Sequence, residues 1–203
     1  MKYGDIDYIV NPGVYPPSED TFLLIDSIEL QDDDRFLDVG CGAGLLTLIA
    51  AKIVKEVVAI DVSWEAVRNA RMNLRRNSLS HRSAVVQSDL LGALSSEASF
   101  TVISLNPPYL PRDELTTAYD HMFIGGETGV EVTLDFLHQV PSRLEVGGRV
   151  YVIASSLADA NQVVDVMKGQ GFDASEVKSM KLFYETLYVL RGVLRKGQKE
   201  TVL

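Results

Sequence analysis

The chain has 203 residues, 46% of them hydrophobic, with a formal net charge of -9 and a pI near 4.8. That length suffices for one compact domain over residues 1–203, and the acidic balance disfavours holding nucleic acid by broad electrostatics. The one cysteine, Cys41, excludes an internal disulfide and a multi-cysteine zinc site. No apolar run reaches the roughly 18 residues of a membrane span, and the start does not read as a signal peptide, so a soluble cytoplasmic protein is expected.

Residues 1–30 read as a leading segment and a helix. Ser18-Glu19-Asp20 can cap a helix through "TFLLIDSIEL", with acids favourable in its first turn. After the polar break "QDDDR", "RFLDV" reads as a strand, "GCGAG" as a tight loop and "LLTLIAAKIV" as a buried helix. "EVVAI" is a second strand ending at Asp61, and "SWEAVRNARMNLRRN" a helix with Ser63 as N-cap. Its Arg68, Arg71, Arg75 and Arg76 read as a solvated helix face. "SAVVQ" is a strand ending near Asp89, and "FTVISL" another, ending at Asn106. "EVTLDFLHQVPSRL" is helical, broken or kinked at Pro141. "GRVYVIAS" is a strand, "LADANQVVDVMKGQ" a helix, and "DASEVKSMKL" and "ETLYVLRGVL" close the chain as strands.

This alternation predicts an α/β fold, a mostly parallel sheet with helices on both faces. Ligands bind such sheets beyond the carboxyl ends of the strands. Asp38, Asp61, Asp89 and Asn106 all fall at or near strand ends, so four polar residues are expected on one rim.

The loop "LDVGCGAGLLT" carries Gly40, Gly42 and Gly44, which let a ligand approach the backbone. Position 45 is Leu, so the dinucleotide fingerprint is incomplete, and no Lys-Ser/Thr follows as a phosphate loop requires. Asp38 beside the loop would repel a pyrophosphate but attract an ammonium and tolerate a sulfonium. Asp61, followed by Val62, suits a ribose diol, and Asp89, followed by Leu90, can accept from an adenine amine. Ammonium, ribose and adenine together describe S-adenosylmethionine, leaving S-adenosylhomocysteine as product.

"NPPY", residues 106–109, leaves the fourth strand through an amide, two prolines and a ring. Paired prolines fix two torsions and withhold two N–H donors, which suits a stiff loop with spare acceptors. A planar NH2 has two donors, and the Asn106 side-chain oxygen with the Pro107 carbonyl can hold both. Pro108 stiffens the loop and Tyr109 walls the flat group. Rate gain then comes largely from orientation, with no metal and no covalent intermediate expected.

"LDVGCGAG", the acid ending the second strand and the "SD" after the third resemble the class I S-adenosylmethionine-dependent methyltransferases. That resemblance implies a Rossmann-like, seven-stranded sheet whose last strand is antiparallel. "NPPY" resembles the site of members that methylate planar nitrogens: glutamine amides, or adenine and guanine amines. "VYPPSEDTFLL", residues 14–24, is similar to the entrance of the short HemK/PrmC-like protein-glutamine methyltransferases, the archaeal and eukaryotic branch acting on the Gly-Gly-Gln loop of class 1 release factors. Pro16 and Ser18 depart from the pattern. "GGETGVEVTLDFL", residues 125–137, resembles the segment following "NPPY" in that branch, with Phe123-Ile124 where Trp is frequent. The resemblance implies that Tyr15 and Thr21 line the cofactor pocket. It also implies that a separate amino-terminal substrate domain is absent, and that a small zinc-binding partner resembling Trm112 docks on the chain, with "SAVVQ" as a plausible edge strand.

Residues 110–126 read as a polar connection of the lid or substrate-loop type. His121 within it, His81 and His138 read as solvated, and Cys41 as a packing residue. Trp64 can flank an adenine or pack at a helix start. The alternatives to glutamine methylation are methylation of adenine or guanine amines in RNA or DNA, lysine methylation on a protein, and a non-catalytic binding module.

Overall fold

The computed structural model describes residues 1–113 and 122–197. The expected helix-strand order is present, with two small additions. In chain order the elements are β1 (Lys2–Tyr3), β2 (Ile6–Asp7), α1 (Glu19–Ile25), β3 (Arg35–Val39), α2 (Leu45–Ile53), β4 (Glu56–Asp61), α3 (Trp64–Arg76), β5 (Ser83–Gln87) and β6 (Phe100–Leu105). Then follow β7 (Leu110–Pro111), β8 (Ile124–Gly126), α4 (Glu131–Gln139), β9 (Leu144–Ser155), α5 (Ala160–Gly169), β10 (Phe172–Lys181) and β11 (Thr186–Leu194).

Seven strands form one sheet in the order β10-β11-β9-β6-β3-β4-β5. Six point the same way, β11 is antiparallel to both its neighbours, and β5 lies at one border. The sheet is the seven-stranded, mostly parallel arrangement expected from the sequence. Strand side chains alternate between two buried layers, as a period of two requires. Leu37, Ile103, Leu105, Val150 and Val152 face Phe136 and Leu137 of α4 and Val163 and Met167 of α5. Phe36, Val102, Tyr151 and Ile153 face Leu23 and Leu24 of α1 and Leu46 and Ala50 of α2. Val67, Ala70 and Leu74 of α3 cover Ala59 and Val85 on that same side.

Two boundaries differ most from expectation, and one expected break is present. Helix α1 ends at Ile25 rather than at 30, because Asp26 caps it and the Ser27 hydroxyl turns back to the Leu23 carbonyl at 2.7 Å. Pro141 does end α4: the α-helix stops at Gln139 and a 3-10 turn covers Val140–Ser142. Strand β9 starts four residues early, at Leu144. Residues 110–126 are not one free connection, since β7 pairs with β8 and ties its two ends together. Residues 114–121, with His121 and the middle of the expected lid, lie outside the described residues.

The leading segment is held by a ladder of asparagines. Asn69, Asn73 and Asn77 recur every four residues on one face of α3. Their side-chain oxygens accept the N–H groups of Asn11 (2.7 Å), Ile9 (3.0 Å) and Asp7 (3.1 Å). The Asn69 and Asn73 amides donate to the Ile9 carbonyl at 2.9 and 2.8 Å, and the Asn77 amide donates to the Asp7 carbonyl at 2.8 Å. Asn73 also donates to Ala43 of the glycine loop at 2.8 Å. The amides thus serve residues 7–11 as a neighbouring strand would, and place residues 13–15 over that loop.

Asn73 is fully buried and joins two segments. Asn73→Ala leaves buried backbone groups unpartnered, and urea denaturation should show a loss of about 2–3 kcal/mol. A loss under about 0.5 kcal/mol, the range of ordinary surface changes, would remove the ladder from the stability account.

Candidate active site

Asp38, Asp61, Asp89 and Asn106 line one cavity of about 510 Å³ at the carboxyl ends of the parallel strands. Gly40, Gly42, Val62, Leu90, Pro107, Pro108, Tyr109, Tyr15 and Thr21 line it too. Of the residues singled out from sequence, Gly44 stands just behind the wall. It is the left-handed cap of α2, at φ +83°, and a Cβ there would lie 2.9 Å from that of Ala70. Glycine at 44 therefore serves the α2–α3 packing that supports the loop.

The acids are held in different ways. Asp61 accepts the Gly42 N–H and the Ser63 N–H, each at 2.9 Å, so its two oxygens are fixed between the glycine loop and the start of α3. Burial pushes its carboxyl above the usual range, against these two hydrogen bonds. Asp38 is only 4% exposed and accepts the Thr47 hydroxyl at 2.5 Å and the Ser104 hydroxyl at 3.4 Å. Burial raises its pKa to about 7, the two hydroxyls oppose the rise, and the Asp61 charge adds to it. Asp89 is exposed at the mouth, and Leu90 beside it holds a left-handed backbone at φ +43°, uncommon for a non-glycine residue. The Ser88 hydroxyl pins that turn by donating to the Leu90 carbonyl at 2.7 Å and accepting the Ala93 N–H at 3.0 Å.

Asn106 holds an unmet acceptor: among the described residues, its side-chain oxygen is buried without a hydrogen-bond partner. Such an atom is costly unless something else supplies the donor. The loop that presents it is clamped from behind. A Cβ on Gly125 would collide with the Pro108 and Gly129 carbonyls, and one on Gly129 would lie 2.6 Å from the Tyr109 carbonyl. "NPPY" and "GGETG" are thus a single packed unit.

Sequence reasoning left out Asp20 as a site residue. It is 3% exposed, lines the cavity and accepts the hydroxyls of Tyr15 at 2.7 Å and Tyr109 at 3.3 Å. Its position in the first turn of α1 disguised it as a helix-dipole acid. Glu185 also lines the cavity, held by the Ser155 hydroxyl at 2.5 Å. Phe123 meets Tyr15 edge-on at 5.8 Å between ring centroids.

Other candidates fall away from the chemistry. Trp64 is 45% exposed, lies outside the cavity lining and takes the Arg71 guanidinium over its ring at 5.6 Å, so it packs on α3 rather than flanking the cavity. Arg71 itself is not merely solvated: it donates to the Val85 carbonyl of β5 at 2.6 and 3.2 Å. His138 pairs with Gln170 at 2.7 Å on the surface, and His81 is exposed. Cys41 is buried in the wall, and burial first, then the charges of Asp38 and Asp61, push its thiol up, so it stays unreactive.

The comparisons point one way. The family profile described as "Methyltransferase small domain" matches residues 9–184. A Methanocaldococcus jannaschii relative, named as the protein N5-glutamine methyltransferase MJ0928, is 32% identical over 187 residues, covering 90% of this chain and 93% of that one. The release factor glutamine methyltransferase of Clostridium acetobutylicum is 31% identical over 197 residues, covering 87% of this chain and 67% of that protein. Among solved structures, the E. cuniculi Mtq2–Trm112 complex, responsible for methylation of the eRF1 translation termination factor, contains a chain that matches with a TM-score of 0.69. The two are 27% identical over 90% of this chain and 99% of that one.

The state of Asp38 can be read from stability. A carboxyl near 7 when folded, against 3.8 as its ordinary value, binds more protons folded than unfolded between those pH values. Its stabilising contribution is therefore complete below the unfolded value and lost as pH rises towards 7. Relative to Asp38→Asn, the wild-type melting temperature should fall between pH 5 and pH 8; a constant difference would mean that Asp38 titrates normally.

Proposed function

The chain belongs to the methyltransferase small-domain family and is a methyltransferase, and from that premise we propose that it methylates the glutamine side-chain amide in the Gly-Gly-Gln loop of a class 1 translation release factor, using S-adenosylmethionine. The carrying observation is the buried, unpartnered side-chain oxygen of Asn106, a residue that lines the cavity. The names of the two curated relatives and of the E. cuniculi complex support the same substrate.

The residues present fit the cofactor. The cavity has the size of a nucleoside-scale ligand site. Asp61 keeps lone pairs beyond those taken by Gly42 and Ser63, since a carboxylate has about four acceptor positions, and these suit vicinal ribose hydroxyls. Asp89 and the turn at Leu90 line the same cavity and suit an adenine edge. Gly40 and Gly42 allow close approach of the amino-acid part, with Gly44 behind them, and Tyr15 and Thr21 close the entrance. Asp38 supplies negative charge in a dry wall, and a cation beside it would pull its raised pKa down. S-adenosylmethionine supplies a sulfonium-activated methyl group.

The chain's own contribution is to hold the acceptor. Asn106 Oδ1 and the Pro107 carbonyl take the two N–H donors of a planar amide, Pro108 keeps the loop from yielding, and Tyr109 walls the plane. An amide nitrogen is a poor nucleophile because its lone pair is delocalised. Acceptors on both N–H groups push electron density back onto nitrogen, and a fixed plane aims it. Once methylated, the nitrogen is strongly acidic and sheds one N–H proton to water, so no side chain has to serve as a strong base.

For a partner we propose a small zinc-binding protein of the Trm112 kind. The border strand β5 is open on one side, and Arg71 already occupies its Val85 carbonyl. A strand added there would have to displace that guanidinium. Release factors act in translation, and this supports a cytoplasmic location.

Radiolabelled S-adenosylmethionine should label a release factor, with and without the zinc-binding partner, and fail to label its Gln→Ala version; label on bulk tRNA alone would assign the site to nucleobases. Asp61→Ala should weaken S-adenosylmethionine binding about tenfold or more, the worth of a hydrogen bond to a charged acceptor. Unchanged affinity would remove Asp61 from the ribose site. Asn106→Ala should abolish turnover with cofactor affinity largely kept; loss of cofactor binding alone would contradict its grip on the substrate.

A further inference from the structure

Four hydrogen-bond donors converge on the buried carboxylate of Asp20. Its Oδ2 accepts the Tyr15 hydroxyl at 2.7 Å and the Tyr109 hydroxyl at 3.3 Å. Its Oδ1 accepts the Thr21 N–H at 2.5 Å and the Thr21 hydroxyl at 3.1 Å. The two tyrosines come from different parts of the chain. Tyr15 follows the segment held by the asparagine ladder, and Tyr109 ends the "NPPY" loop. Both line the cavity. Burial first, then the Asp20 charge, pushes both phenols far above their ordinary value, so each keeps its proton and donates.

We propose that Asp20 is a positioning residue for both halves of the site, setting the Tyr15 ring against the cofactor and the Tyr109 ring against the acceptor amide through one shared oxygen. The assignment of the two rings rests on the function proposed above. The chemistry demands a carboxylate. An ionised Asp accepts on both oxygens, whereas Asn has one acceptor oxygen and one NH2 that only donates. With donors on both sides, an amide at position 20 opposes one pair of them. If its oxygen stays with Thr21 at the start of α1, both tyrosines lose their acceptor together. The cofactor entrance and the acceptor wall are therefore coupled through a group that touches neither reacting atom.

The coupling is testable with four proteins: wild type, Asp20→Asn, Tyr15→Phe/Tyr109→Phe, and the triple variant. S-adenosylmethionine affinity is read by equilibrium dialysis, release-factor KM and kcat by label transfer, and folding by circular dichroism. Asp20→Asn should weaken S-adenosylmethionine binding and raise the release-factor KM, each about tenfold, with a smaller change in kcat. In the double-Phe background the same change should add less than about twofold to either quantity, because its effect passes through the missing hydroxyls. Equal effects in both backgrounds would overturn the assignment. So would a lowered melting temperature with affinity and KM unchanged, the mark of a structural role only. Should Asp20→Asn not fold, the double-Phe protein, which keeps the carboxylate and lacks its two tyrosine donors, must itself show both tenfold losses; wild-type values there would overturn the proposal. If the wild type labels no release factor, the glutamine reading fails, while dialysis still decides whether Asp20 acts through Tyr15.

Discussion

An amide oxygen buried without a donor is the constraint around which this site is organised. Leaving Asn106 Oδ1 unpartnered costs about 1–3 kcal/mol, and a flexible loop would relieve that by turning the side chain outward or by folding a backbone N–H onto it. Neither escape is open. Pro107 and Pro108 have no N–H to offer, and the carbonyls of Pro108 and Tyr109 pack so closely on Gly125 and Gly129 that no side chain fits between. The Tyr109 hydroxyl is tied to Asp20. The acceptor is kept available by the packing of its neighbours, and that is the preorganisation the proposed amide methylation requires.

The rest of the cavity is assembled from other parts of the chain. The parallel strands β3, β4 and β6 bring the glycine loop, Asp61 and Asn106 to one rim. The asparagine ladder of α3 then carries the leading segment across that rim, with Asn73 bonded both to Ile9 and to Ala43 in the loop. Tyr15 arrives over the cavity because residues 7–11 are held as a strand would be, by amides instead of by a strand. The site is thereby closed by side-chain chemistry at a place where the sheet itself ends.

Much of this was legible in the sequence because alternating elements and strand-end residues follow from local periodicity. Asp38, Asp61, Asp89 and Asn106 were placed on one rim by topology alone, and the structure puts them there. The pairing of β7 with β8 was not legible, since two- and three-residue strands leave no periodic trace. Neither was Asp20: an acid in the first turn of a helix has a local explanation, and only the fold brings Tyr109, 89 residues away, to its carboxylate. The asparagine ladder did leave a signal, three asparagines spaced by four, but the arginines around them drew the reading towards a solvated face. Trp64 was ambiguous for a similar reason, because an aromatic residue after a strand-end acid can turn either to the cavity or to its own helix.

The central claim is that Asn106 Oδ1 receives a donor from the acceptor amide. The most direct measurement is a crystal structure of the protein with S-adenosylhomocysteine and a glutamine peptide from the release-factor loop. The account predicts the glutamine side-chain nitrogen within about 2.7–3.2 Å of Asn106 Oδ1 and of the Pro107 carbonyl, the ordinary range for an N–H···O bond, with its plane against Tyr109. A glutamine bound elsewhere, with Asn106 Oδ1 taken by the cofactor or by another protein group, would contradict it.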